Sequence, residues 1–175
     1  AGRGPIHIRS LTKLFTATAV GLLADEGRLS LDDRLSRFIP GWDGGFKARV
    51  SLRHLLAHSS GIDNIPGDAY VPKNPDVLKT VSEFSVSREP GKTAVYDNAA
   101  YILAAGAAAR AAGRPLADYI GEKLFGPLGL LDGTWSWWRD AAGTNYGHAG
   151  LSLDADGLLA FGRLWLDGGL RDGTR

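Results

Sequence analysis

The chain has no cysteine and no methionine among its 175 residues. The first absence excludes disulfides, a thiolate nucleophile and any zinc or iron–sulfur site built on cysteine ligands, and it leaves the compartment undetermined. The second, in a chain beginning Ala1-Gly-Arg-Gly-Pro5, leads us to expect a processed or excised product from which any targeting signal is gone. An excess of one charge sign is also missing. Twenty basic and nineteen acidic side chains leave +1, so no large field exists to condense on a phosphate backbone or an anionic bilayer, and no nucleic-acid partner is expected. The longest uncharged small-apolar stretch, Asn98 to Ala109, stops at Arg110 and falls short of the ~20 residues that cross a bilayer. No membrane span is expected.

What is present is the composition of an ordinary globular chain, 44% hydrophobic and 22% charged. A chain of this length buries roughly 70% of its unfolded surface as one domain and is short for two, so residues 1–175 are read as one unit. Leu11, Leu14, Phe15, Thr18 and Leu22 recur at helical spacing up to Gly27, which predicts an amphipathic helix from Ser10 to about residue 26. Ser51 caps a second helix, Leu52 to His58. Asn74-Pro75 opens a third, with Val77, Leu78, Val81 and Phe84 on one face. Ala99 to Ala112 is an Ala-rich helix stopped by Gly113, Pro115 opens another that runs through Phe125 to a break at Gly126-Pro127, and Leu158, Phe161 and Trp165 describe a last one. Ile62 to Asn74, with Pro66, Gly67 and Pro72, is a surface loop of the kind that borders a site. Strand signals are scarce, so the visible chain reads as mostly helical.

Ser10-Leu-Thr-Lys13 places a hydroxyl and an amine three residues apart on one helical face, within reach of each other. A serine hydroxyl needs a base, and a lysine serves as one only when neutral. Bringing it from about 10.4 to about 7.4 costs roughly 4 kcal/mol, which a closed cleft must supply. Tyr96-Asp97-Asn98 adds a phenol able to relay a proton and an amide able to orient a lysine or a carbonyl. His54 and His58 have a zinc-compatible spacing, but Leu55 stands where the zinc-protease pattern needs its glutamate, so they read as turn-tying residues and no metal is expected. Trp135, Trp137 and Trp138 form an aromatic cluster, either core or the wall of an acyl pocket; Trp135 and the loop residue Tyr70 are candidate substrate contacts.

Together these residues resemble the serine β-lactamases and D-Ala-D-Ala peptidases, in particular the class C β-lactamase-like branch with its esterases, amidases, D-aminopeptidases and 6-aminohexanoate-dimer hydrolases. Arg9 to Thr16 with Asp25 to Asp33 is similar to that branch's nucleophile helix and following turn. Leu52-Arg-His-Leu-Leu-Ala-His-Ser-Ser-Gly61 is similar to its helix-and-turn signature, and Phe125-Gly-Pro-Leu-Gly129 and Gly150-Leu-Ser-Leu-Asp154 to later landmarks. The resemblance implies an α+β fold, the β-lactamase/DD-peptidase-like fold, of which this chain covers mainly the helical domain. It implies Ser10 as acylated nucleophile, Lys13 as base, Tyr96 as second proton-transfer group, Asn98 as substrate or lysine contact, and half of an oxyanion hole from the Ser10 N–H. No cofactor is implied.

Two departures stand out. Asp97 sits where the family more often has serine or alanine, and a carboxylate beside the phenol disfavours the phenolate. Strands before the nucleophile helix, and the later strand with Lys-Thr-Gly or His-x-Gly, are not in the sequence pattern. The expectation is therefore a helical domain whose Leu11, Phe15 and Leu22 face a sheet completed by a further chain segment or a second copy. The expected activity is cleavage of a small ester or amide through an acyl-enzyme. The alternatives are a β-lactamase or D-Ala-D-Ala carboxypeptidase, and a silent relative that binds peptidoglycan or a partner.

Overall fold

The structure, a computed structural model, describes residues 4–63 and 74–170. Its centre is helix α4, Asn98–Ala112, in which eleven of fifteen residues are buried, so it carries no polar stripe and is enclosed on nearly every side. Alanine and Gly106 make that possible, because small side chains let neighbours approach closely. Asp97 caps the helix by accepting from Ala99 N at 2.8 Å, and Gly113 ends it in the left-handed conformation at φ 66°. Around α4 pack α1 (Thr12–Asp25), α2 (Leu52–Leu56), α3 (Val77–Ser82) and α5 (Leu116–Ile120).

Ser51 caps α2 in a capping box whose reciprocal acceptor is His54 Nδ1, 3.2 Å from Ser51 N. In α3 the cap is Asp76, two residues after the expected start. Asn74 instead ties the entry, accepting from Asp76 N at 3.0 Å and donating to Thr80 Oγ1 at 2.9 Å. The helix expected to break at Gly126-Pro127 continues: α5 passes through a π turn, Gly121–Phe125, into α6, Gly126–Leu128, and stops at Gly129 with φ 75°. Pro127 lies in the first turn of α6, where its fixed φ suits the helix.

Three short antiparallel strands form the sheet of the described residues, in the order β1 (Ile6–His7), β3 (Leu151–Leu153), β2 (Trp135–Trp137). Ile6 pairs with Leu153, which also faces Trp135, and Leu151 pairs with Trp137. A strand thus precedes the nucleophile helix, although two residues are too short a run to show an alternating pattern. Helix α7, Ala155–Leu166, follows β3 directly, capped by Asp154 on Gly157 N at 2.8 Å.

The largest correction concerns the face of α1. Its buried side is Thr12, Lys13, Phe15, Thr16, Ala19, Val20 and Leu23, while Leu11 and Leu14 are 46% and 47% exposed. Phe15 does not face a missing layer. It is fully buried, its ring stacked at 4.0 Å on Phe161 of α7 and edge-on to Phe125 at 5.7 Å. The buried stripe lies one position away from the apolar period of the sequence, because two threonines and a lysine occupy it.

Candidate active site

Helix α1 begins without a cap. A single 3-10 turn, Arg9–Leu11, carries Ser10, whose hydroxyl caps nothing. Arg9 takes φ 53°, a left-handed conformation that costs a residue with a Cβ roughly 1 kcal/mol. Both flanks hold it there. Ile8 N donates to Leu151 O at 3.0 Å, and the Thr12 hydroxyl donates to Arg9 O at 2.7 Å while accepting from Leu151 N at 3.2 Å. The nucleophile turn is thereby fastened to β3.

Lys13 is only 6% exposed. Its Nζ lies among four oxygens: Tyr96 Oη at 2.7 Å, Asn98 Oδ1 at 2.9 Å, the His148 carbonyl at 3.0 Å and Ser10 Oγ at 3.3 Å. An ammonium has three N–H groups, one fewer than the oxygens around it, so one N–H is shared between two of them. Thr16 anchors the same segment from the next turn, donating to Gly147 O at 2.8 Å. Gly147 has to be glycine, since a Cβ there would overlap the Tyr101 carbonyl and the Ala105 methyl. Close approach of α4 at this point brings the His148 carbonyl onto Lys13.

Tyr96 completes the cluster from the extended residues that lead into α4, its Oη 2.8 Å from Ser10 Oγ. Burial opposes ionisation of this phenol, but the hydrogen bonds of Lys13 and Ser10 and the Lys13 charge outweigh it and hold the phenol below its ordinary value. Asp97 does not stand against this. As the N-cap of α4 its carboxylate points to Ala99 N, with the Ser60 hydroxyl 3.5 Å away, and burial raises its own pKa. Alternation along an extended segment sends Tyr96 and Asp97 to opposite sides. Asn98, first residue of α4 rather than its cap, falls on the side of Lys13.

The structure therefore brings together Ser10, Lys13, Tyr96 and Asn98, which are up to 88 positions apart in sequence. It places Trp135 elsewhere: its ring lies on Phe125 at 4.8 Å and against Gly121, at the edge of the core. Trp137 is buried and donates to Tyr146 O at 3.0 Å, and Trp138 stacks on His7 at 4.5 Å. Tyr70 lies outside the described residues. Among those described, no three His, Asp or Glu side chains gather as a metal site, and no helix is long and apolar enough to cross a membrane.

Three contributors escaped the reading of the sequence. The His148 carbonyl and Gly147 sit in the stretch Tyr146-Gly-His-Ala-Gly150, whose density of glycine was its sole signal. The His148 imidazole, pushed down to about 4 by burial and then by Lys13 and His7, is a neutral buried ring at working pH. His58, read as tying a turn, also reaches the cluster, with its imidazole 4.8 Å from the Tyr96 ring.

Residues 3–174 match the Beta-lactamase family. The chain belongs to that family. It is 32% identical over 133 residues to penicillin-binding protein 4* of Bacillus subtilis, a match covering 71% of this chain and 29% of that protein. Its backbone superposes on the β-lactamase/D-alanine carboxypeptidase of Yersinia pestis, complexed with citrate, with a TM-score of 0.75 at 26% identity, covering 93% of this chain and 54% of the other. A class C β-lactamase mutant gives 0.76 at 19% identity, over 97% and 52%. The fold is thus the β-lactamase-like fold. The chain spans under a third of the length of the curated relative and about half of each structure.

Proposed function

We propose that the full-length protein is a serine hydrolase that cleaves an ester or amide through an acyl-enzyme on Ser10, without a metal or organic cofactor. The observation that carries this reading is the contact of Ser10 Oγ with two proton-transfer groups at once, Tyr96 Oη at 2.8 Å and Lys13 Nζ at 3.3 Å. In the first half-reaction the Ser10 oxygen attacks the carbonyl carbon while its proton passes to Tyr96, the nearer group, whose ionised form Lys13 stabilises. The proton then goes to the departing alkoxide or amine, and the acyl group stays on Ser10. Water, losing its proton to the same pair, releases the acid and restores the serine. Lys13 thus acts together with Tyr96 as one base. Asn98 holds the lysine and remains a candidate substrate contact. The Ser10 N–H supplies half of the oxyanion hole, and its second donor belongs to chain outside these residues.

The substrate class is a small ester or amide. A β-lactam or a D-Ala-D-Ala peptide is the second reading, favoured by the names of the relatives, a penicillin-binding protein and a β-lactamase/D-alanine carboxypeptidase. A further segment or a second copy of the chain completes the sheet, consistent with the exposed Leu11 and Leu14 beside the nucleophile. The test of the chemistry is covalent labelling of the full-length protein with a fluorophosphonate probe and peptide mapping of the adduct. Label on Ser10 alone is expected; label on Ser59, Ser60 or Ser152 would remove the mechanism. Turnover of a short p-nitrophenyl ester against a chromogenic cephalosporin then decides between the substrate classes, the ester being expected to turn over faster.

A further inference from the structure

Tyr96 is 55% exposed, and an exposed ring ordinarily samples several rotamers. Its hydroxyl nonetheless has to meet two atoms, Ser10 Oγ and Lys13 Nζ, within 2.8 Å. Something must hold the ring. On one side the Lys13 ammonium lies 4.7 Å from the ring centroid. Against the ring also lies His58, in the turn after α2.

His58 has an uncommon conformation. It is one of the two non-glycine residues of positive φ among the described residues, at φ 55°, and the other, Arg9, precedes the nucleophile. A histidine there is strained relative to glycine, so the side chain must give something back. Three of its contacts converge on Tyr96. The His58 carbonyl accepts from Val95 N at 2.8 Å, and its Nδ1 accepts from Asp97 N at 3.1 Å, so a single residue fixes the backbone on both sides of Tyr96. Its ring lies against the Tyr96 ring at 4.8 Å and 31°, and against Tyr101 of α4 at 5.0 Å and 43°. Tyr101 is itself fixed by donating its hydroxyl to Leu56 O at 2.9 Å.

We propose that His58 is a positioning residue for catalysis, holding the Tyr96 phenol in register with Ser10 and Lys13 by pinning the backbone on either side and backing the ring. This rests on the reading of Tyr96 as proton acceptor for Ser10. The role requires a neutral imidazole, because an N–H at Nδ1 would oppose the Asp97 N–H. The groups facing it fit that requirement: burial and the Lys13 cation from α1 hold its pKa below the ordinary value, and Tyr96, Asp97 and Tyr101 from the α4 side supply the rest of its surroundings. Only a flat ring with an in-plane acceptor does both jobs. Asparagine supplies the acceptor without the ring, and glycine supplies neither while relieving the backbone.

The test is the rate of Ser10 acylation by a fluorophosphonate probe in the full-length protein, with the thermal midpoint measured alongside. His58→Gly suits the strained φ and should stay folded, yet acylation is expected to fall about tenfold or more, with the rise of the rate with pH moved to higher pH as Tyr96 loses its contact with Lys13. His58→Asn should recover part of the rate. The deciding measurement is the double variant: if His58 acts through Tyr96, His58→Gly costs little once Tyr96→Phe is present, whereas a merely structural role would multiply the two losses. Glycine at wild-type rate and pH profile, or independent losses in the double variant, would overturn the proposal. Full acylation by Tyr96→Phe alone would instead overturn the reading of Tyr96 on which it rests.

Discussion

The two helices that meet at the cluster start in opposite ways. Helix α4 begins by the rules: Asp97 accepts from Ala99 N, the helix runs without a polar residue in its buried middle, and Gly113 closes it. Helix α1 breaks the first two and keeps only the closing glycine, Gly27 at φ 70°. It has no side-chain cap, follows a residue at φ 53°, and buries Lys13, Thr12 and Thr16 while leaving Leu11 and Leu14 in the open. The first helix is stabilised by its own sequence. The second is held by others: Leu151 grips its entry, the His148 carbonyl and Asn98 hold its lysine, and Phe161 covers its phenylalanine. Residues committed to chemistry give up local optimisation, and the surrounding fold supplies the difference.

If that contrast is right, the largest effects lie on the α1 side. Lys13→Met in the full-length protein is expected to slow acylation of Ser10 by ~10²-fold or more, the usual scale for a lost proton-transfer partner. It should also change the pH dependence. The Tyr96 phenolate appears as pH rises through the lowered value of the phenol, so acylation climbs up to that point; without the cation the climb moves toward the ordinary value near 10. Stopped-flow acylation across pH checks both, and an unchanged profile would separate Lys13 from the base.

Next comes the clamp. Gly147→Ala places a methyl group on the Tyr101 carbonyl, and we expect a loss of about 3 kcal/mol or more in urea unfolding together with loss of acylation, since the His148 carbonyl must move off Lys13. A stable and active alanine variant would show that the segment is not held by α4. Thr12→Val, which removes the link from Arg9 O to Leu151 N, should cost roughly 1–3 kcal/mol and slow acylation more than its stability loss alone explains, because the nucleophile turn is then free to relax.

The smallest effects lie on the α4 side and sharpen the contrast. Asp97→Ala should lose about 1 kcal/mol as a cap is removed. Asp97→Asn keeps the cap. Because burial raises the folded-state pKa of Asp97, the charged carboxylate weakens the fold as pH rises through that value, so the asparagine variant should match or exceed the parent at neutral pH. Acylation should be unchanged in Asp97→Asn; a tenfold gain would mean that the carboxylate charge does reach the Tyr96 phenol.

These cases show how far the sequence could be read. Ser51, Gly113 and the alanine run marked α2 and α4 because capping and helix propensity act within a few residues. The Ser10–Lys13 spacing and the Tyr96–Asn98 triplet were visible for the same reason: each pair lies within one turn or one extended segment. The face of α1 was misjudged, since a periodicity rule assigns apolar residues to the interior and here polar residues hold that place. For the tryptophan cluster the sequence leaves core and substrate wall both open, because composition alone cannot separate those two uses of an aromatic, and the Trp135 ring lies on Phe125 and against Gly121.

By itself the sequence determined that the chain is mostly helical, the cap at Ser51, the stop at Gly113 and the chemical groups a serine hydrolase needs, because those depend on neighbours in the chain. Tertiary structure alone decided which groups touch. It turned Asp97 away from the phenol that it adjoins in sequence, brought a carbonyl from residue 148 onto Lys13, and set His58 behind Tyr96. Each of these is a contact between segments far apart along the chain, made by close packing against α4, and no local rule encodes the distance between them.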